Sequence, residues 1–116
     1  ARRRQIAERY RDGLKSSAVQ VQVLPQGAQS VFHLFVILAD NRERFQNHMS
    51  ERGVQTGIHY PTPIHRQKAY LDSSAKIKSL PHAEDQCARC VSLPMFPELT
   101  DSEIDQVIDA VRSYGK

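Results

Sequence analysis

Apolar residues recur along this chain at two periods, and the changes between them divide it into helices and strands. Ile6, Tyr10 and Leu14 repeat every four residues, with Ala7 beside them and arginines at other positions. That spacing predicts a helix over 2–14, ended by Gly13, Ser16 and Ser17. Val19, Val21 and Val23 alternate with Gln20 and Gln22, which predicts a half-buried strand stopped by Pro25 and Gly27. From Val31 to Leu38 both alternating faces are apolar: Phe32, Leu34, Val36 and Leu38 on one, Val31, His33, Phe35 and Ile37 on the other. Such a run predicts a central strand covered on both sides, with His33 as an interior histidine.

Further along, Asp40 is placed to cap a helix with Glu43 three residues on. Phe45 and Met49 stand one turn apart on its inner face, and Gly53 suits the position just past its end. His48 falls on the outer flank. Val54 to Ile58 reads as a short strand returning beside the first, so the segment fits a strand–helix–strand unit. Arg66 to Leu71 predicts a short helix, and the polar stretch 72–79 a surface loop. Pro81 opens another helix, whose inner positions are Ala83, Cys87, Cys90 and Val91. Leu93-Pro94-Met95-Phe96-Pro97 allows at most a short extended segment. Thr100 and Glu103 form a capping box, and Ile104, Val107, Ile108 and Val111 follow at helical spacing, with Gly115 beyond.

Composition narrows the class. At 116 residues, 40% apolar and 25% charged, the chain has the size and balance of one globular domain. No apolar run approaches the ~18 residues of a membrane span. The opening Ala-Arg-Arg-Arg is followed by no apolar signal core, and the expectation is a piece of a longer protein. The net charge of +3 is unevenly spread. Arg2, Arg3, Arg4, Arg9, Arg11 and Lys15 face only Glu8 and Asp12 in the first helix, while the rest is slightly acidic. A basic patch confined to one helix argues against a nucleic-acid face built from several elements; a solvated helix or an interdomain contact fits better. Two cysteines make no disulfide scaffold, and a cytoplasmic setting is expected. The Cys87-x-x-Cys90 pair has no second pair or histidines at zinc-finger spacing, so both thiols are expected to be buried as small hydrophobes.

The chemistry concentrates in Thr56-Gly57-Ile58-His59-Tyr60-Pro61-Thr62-Pro63-Ile64-His65. Pro61 and Pro63 stiffen the backbone and push their predecessors toward extended geometry. His59 and His65 match no strong zinc pattern, no carboxylate lies nearby in sequence to orient an imidazole, and there is no serine elbow or glycine-rich phosphate loop. The residues suit recognition: imidazoles and a phenol hydrogen-bond to phosphate, carbonyl or hydroxyl oxygens. A structural turn with Tyr60 in the core is the alternative.

The His59-Tyr60-Pro61-Thr62-Pro63-Ile64-His65 stretch resembles the His-Tyr-Pro-x-Pro-Leu-His region of the DegT/DnrJ/EryC1/StrS family. Leu93-Pro94-Met95-Phe96-Pro97-Glu98-Leu99-Thr100, followed by an acidic-capped helix, is similar to that family's C-terminal signature. The arginine-rich opening helix with Tyr10-Arg11 is similar to its entry into the small domain. The resemblance covers nearly the whole chain. It implies the C-terminal small domain of a pyridoxal-phosphate enzyme of the aspartate-aminotransferase fold (fold type I). The expected fold is an α/β (α+β) small domain, with a small antiparallel or mixed sheet and helices packed on it.

In most of the family an amino group moves from glutamate to a keto group on a nucleotide-linked sugar. The resemblance implies that the Schiff-base lysine and the carboxylate on the pyridinium nitrogen belong to a preceding large domain, so no catalytic residue is assigned in this chain. Lys68, Lys76 and Lys78 are not candidates, Lys76 and Lys78 because a polar loop does not desolvate an amine. His59 and Tyr60 are implied to contact the sugar or diphosphate, and His65 either to join them or only to fix the loop. A homodimer with shared active sites is implied, serving antibiotic-sugar or polysaccharide biosynthesis. A same-family dehydratase, a sensory role and a free-standing basic nucleic-acid-binding module are the alternatives.

Overall fold

The computed structural model describes residues 1–71 and 78–115; most of the loop expected at 72–79 lies outside them. The order is α1 (Arg2–Gly13), β1 (Gln20–Val21), β2 (Phe35–Leu38), α2 (Arg42–Glu51), a 3-10 turn (Ile64–Arg66), α3 (Lys68–Leu71), α4 (Pro81–Arg89), β3 (Cys90–Leu93) and α5 (Asp101–Ser113). The three strands form one antiparallel sheet in the order β1-β2-β3. Helices and a small antiparallel sheet are the α+β architecture expected.

One face of the sheet carries the core. Ile37 stands opposite Val91 and Phe35 opposite Leu93, and all four are buried. Ile6, Ala7 and Tyr10 of α1, Phe45 and Met49 of α2, and the apolar stripe of α5 belong to the same cluster. Tyr10 meets Phe35 edge-on at 5.1 Å, and its hydroxyl donates to the Pro94 carbonyl at 2.9 Å. Burial pushes that phenol's pKa well up, since the phenolate would lose its solvation.

The ends of α2 and α5 are closed by local bonds. Gly53 adopts a positive φ of 73°. The amides of Gly53 and Val54 bond back to Ser50 and Met49, a Schellman closure that favours glycine. Thr100 and Glu103 make the expected reciprocal capping box on α5. The arginines of α1 are largely engaged inside the domain. Arg2 donates to Leu99 O and Asp101, and Arg9 pairs with Asp101 and Asp105. Basic residues thus meet the acidic first turn of α5, and Asp101 is held below the usual carboxylate range, chiefly by its bond from Arg2. This use of the charge leaves less of it for a nucleic acid.

Several expectations are corrected. The N-cap of α2 is Asn41, whose side chain accepts from the Arg44 amide at 3.0 Å. Asp40 instead pairs with Arg89 at 2.8 Å, so Glu43 is not part of a capping box. His48 does not face outward: its Nε2 lies 2.9 Å from Ala110 O and 3.1 Å from Ser113 Oγ, and its ring meets Tyr114. The run 31–38 is a strand only over its second half. Phe32 takes a positive φ of 48°, with its amide bonded to Ser30 Oγ. That turn resets the alternation, so Phe32 goes inward and His33 is exposed beside Arg3. The strand at 19–23 shrinks to two residues, and Val23 is exposed. The helix from Pro81 ends at Arg89, and Cys90 to Leu93 form the wholly buried β3. Val54–Ile58 forms no strand beside the first; Gly57 makes a single antiparallel bridge to Ser92 of β3.

Thr100→Ala is expected to lower unfolding stability by about 1 kcal/mol, the usual loss for a removed N-cap side chain. Urea denaturation of the paired proteins checks it.

Candidate functional site

The second face of the sheet positions the loop that the sequence singles out. Ser92 lies on that face, since its neighbours Val91 and Leu93 point into the core. Its backbone exchanges two hydrogen bonds with Gly57, at 3.1 and 2.8 Å, and its hydroxyl lies 2.9 Å from His59 Nδ1. The His59 ring approaches Gly57 closely: a Cβ there would lie 2.9 Å from His59 Cε1, so the ring would have to shift. The His59 ring therefore folds back over the bridge. The His59–Tyr60 peptide is cis, and the two rings meet edge-on at 5.5 Å.

Beyond Tyr60 the prolines carry the chain across α4 to the 3-10 turn at Ile64–Arg66. Between loop and helix lies a cleft of about 540 Å³. His59, Tyr60, Thr62, Pro63, Ile64, His65, Gln67 and Tyr70 line one side; Leu80, Ala83, Gln86, Cys87 and Cys90 line the other. Its rim is apolar and exposed: Tyr60 is 71% and Ile64 68% accessible. Exposed apolar side chains gathered in one place mark a surface that meets something.

The three histidine and tyrosine candidates separate by environment. His59 and Tyr60 are exposed at the mouth, while His65 is 7% exposed. The carboxylate that the local sequence lacks comes from α4: Glu84 Oε1 lies 2.8 Å from His65 Nε2. The same oxygen accepts from the Arg66 guanidinium at 3.1 Å and from the Leu80 amide at 3.2 Å. The His65 bond, then the Leu80 amide and Arg66, hold the Glu84 carboxyl down at about 2. Sequence reasoning missed Glu84 because it stands 19 residues from His65, and a glutamate in a helix's first turn looks like ordinary dipole compensation.

The cysteines are nearer the cleft than expected. Cys90 is buried at 2% exposure, and its Sγ lies 3.7 Å from the Tyr60 carbonyl. Cys87 is only half-buried and lines the cleft wall. Among the described residues no cluster of three or more metal-ligating side chains occurs. The described lysines stand at the surface: Lys68 and Lys78 are exposed, and Lys15 pairs with Asp12.

A cleft lined by aromatic, imidazole, amide and thiol side chains sits on an α+β unit, and the wider comparisons place that unit in a family. Residues 1–112 match the sequence model of the DegT/DnrJ/EryC1/StrS aminotransferase family, and the chain belongs to that family. It is 39% identical over 114 residues to a dTDP-3-amino-3,6-dideoxy-alpha-D-galactopyranose transaminase of Aneurinibacillus thermoaerophilus, covering 98% of this chain and 31% of that protein. It is 40% identical to the erythromycin biosynthesis sensory transduction protein EryC1 of Saccharopolyspora erythraea, covering 97% of this chain and 31% of that protein. Among solved structures, DesV of S. venezuelae in complex with a ketimine intermediate superposes with a TM-score of 0.89 at 35% identity, over 96% of this chain and 30% of that one. A family aminotransferase from Brucella abortus gives 0.87 at 35% identity, over 98% and 31%. The chain thus spans about a third of the length of these relatives.

A carboxyl held below its ordinary 4.5 adds stability above that pH and loses it as pH falls toward its folded value of about 2. Glu84→Gln is expected to flatten the acid limb of stability in that window. Thermal unfolding midpoints across pH check this.

Proposed function

We propose that this chain is the C-terminal small domain of a pyridoxal-phosphate-dependent sugar aminotransferase, and that its cleft is the sugar-nucleotide side of the active site. The observation that carries the reading is the cleft itself, with His59 and Tyr60 exposed at the mouth of an apolar groove. One wall of a shared site has this composition. The transaminase names of the relatives support the reaction class, and the covered third of their length supports a domain that works with another.

Pyridoxal phosphate, when bound by the rest of the enzyme, supplies the electron sink for amino transfer from glutamate to a keto sugar. The part left to this chain is binding and orientation. Ser92 holds the His59 ring by Nδ1, leaving Nε2 for a ligand oxygen. Tyr60 offers a phenol at the rim, and the neighbouring apolar side chains cover the sugar ring and exclude water. His65 fixes the loop through Glu84. Amino transfer from a small donor such as glutamate to a bulky nucleotide-linked acceptor needs such a wall, since a misplaced carbonyl loses rate steeply. The homodimer and the cytoplasmic setting belong to the same proposal.

In the full-length enzyme, His59→Ala and Tyr60→Phe are expected to raise KM for the nucleotide-linked keto sugar by on the order of tenfold, the loss of one hydrogen bond to a charged or strongly polar group. The visible absorbance of the bound cofactor should stay near normal. Steady-state kinetics with absorbance spectra check both. Lost cofactor binding with unchanged sugar affinity would sink the assignment.

A further inference from the structure

The loop that carries His59 and Tyr60 is a strap with two anchors. At one end Gly57 and the His59 ring are fixed to Ser92. At the other, His65 and Arg66 converge on Glu84. Between them Tyr60, Pro61 and Thr62 are exposed, and the long Cys90 Sγ to Tyr60 O contact joins the middle to the body. Glu84 does not line the cleft, and its oxygens are occupied. Oε1 accepts from His65, Arg66 and Leu80, and Oε2 accepts from Ser79 Oγ at 3.3 Å.

We propose that Glu84 is a positioning residue for substrate: by holding His65 and Arg66 it sets the height of the strap over α4 and so the placement of His59 and Tyr60 in the cleft. The inference rests on the cleft being the sugar-nucleotide wall. An ionised carboxylate suits the task, because charge-assisted bonds are shorter and stronger than neutral ones. Accepting from His65 Nε2–H also fixes that ring's tautomer and orientation. A neutral amide of the same shape would offer a weaker acceptor and a competing donor. The second anchor would then slacken while the first, made mostly of backbone, holds.

The test uses the full-length holoenzyme with Glu84→Gln, Glu84→Asp and Tyr60→Phe. One readout needs no substrate. Cys90 lies beneath the strap, and its alkylation by iodoacetamide, mapped by mass spectrometry, should quicken by on the order of tenfold in Glu84→Gln. The other readout is kinetic. KM for the keto sugar should rise by a similar factor, while the glutamate half-reaction and the cofactor absorbance stay unchanged. Glu84→Asp, which keeps the charge, should recover part of both effects. If Glu84→Gln fails to fold, Arg66→Met, at an exposed position, should give a smaller change in the same direction. A lower melting temperature with unchanged KM and alkylation overturns the proposal, and so does a KM that rises for Tyr60→Phe but not for Glu84→Gln. Unchanged KM in both variants, with faster alkylation, overturns the reading of the cleft on which the proposal stands.

Discussion

The pair of backbone hydrogen bonds between Gly57 and Ser92 is the constraint on which the rest of the molecule depends. On one side of it, β3 pairs with β2 and closes the core. On the other, it starts the proline-stiffened crossing that frames the cleft. The same four residues that finish the sheet also present Ser92 to His59. Core and candidate site are therefore not separate regions. Packing Val91 and Leu93 inward forces Ser92 and Cys90 outward, and those two face the loop.

Much of this was legible in the residues. The stripe in α5, its capping box, the glycine closing α2 and the inner face of α1 all follow from local rules that tertiary contacts did not override. The strand β3 was not legible, for a specific reason. Ala83, Cys87, Cys90 and Val91 satisfy a helical period, so the helix could be extended in thought past Arg89. What ends it is pairing with β2, a partner more than fifty residues earlier in the chain. His48 turned out to face α5 on similar grounds, since its carbonyl partner Ala110 comes 62 residues later. Asp40 and Asn41 are both competent caps; Asn41 takes the position, and Asp40 pairs with Arg89.

For the site, residue types were legible and their roles were not. The motif pointed to His59, Tyr60 and His65 together, yet two stand at the mouth and one is enclosed. That division depends on Glu84, which lies across an intervening polar segment. Charge behaved in the same way. The arginines of α1 read as a solvated helix or an interdomain contact, but Arg2 and Arg9 are matched within the domain by carboxylates nearly a hundred residues away. A chain's net charge says little about which cations remain available to a partner.

Phe32 separates the register of β2 from everything before it. Because the chain turns at Phe32 just ahead of β2 and the strand's faces are fixed by its pairing with β1 and β3, the segment from Gln22 to Val31 need not keep count. Residues can be gained or lost there without exchanging the faces of β2, whereas one added within Phe35–Leu38 would swap core for surface in the part of the strand beyond it. Variation in length among related proteins has a natural outlet on one side of that residue and a barrier on the other.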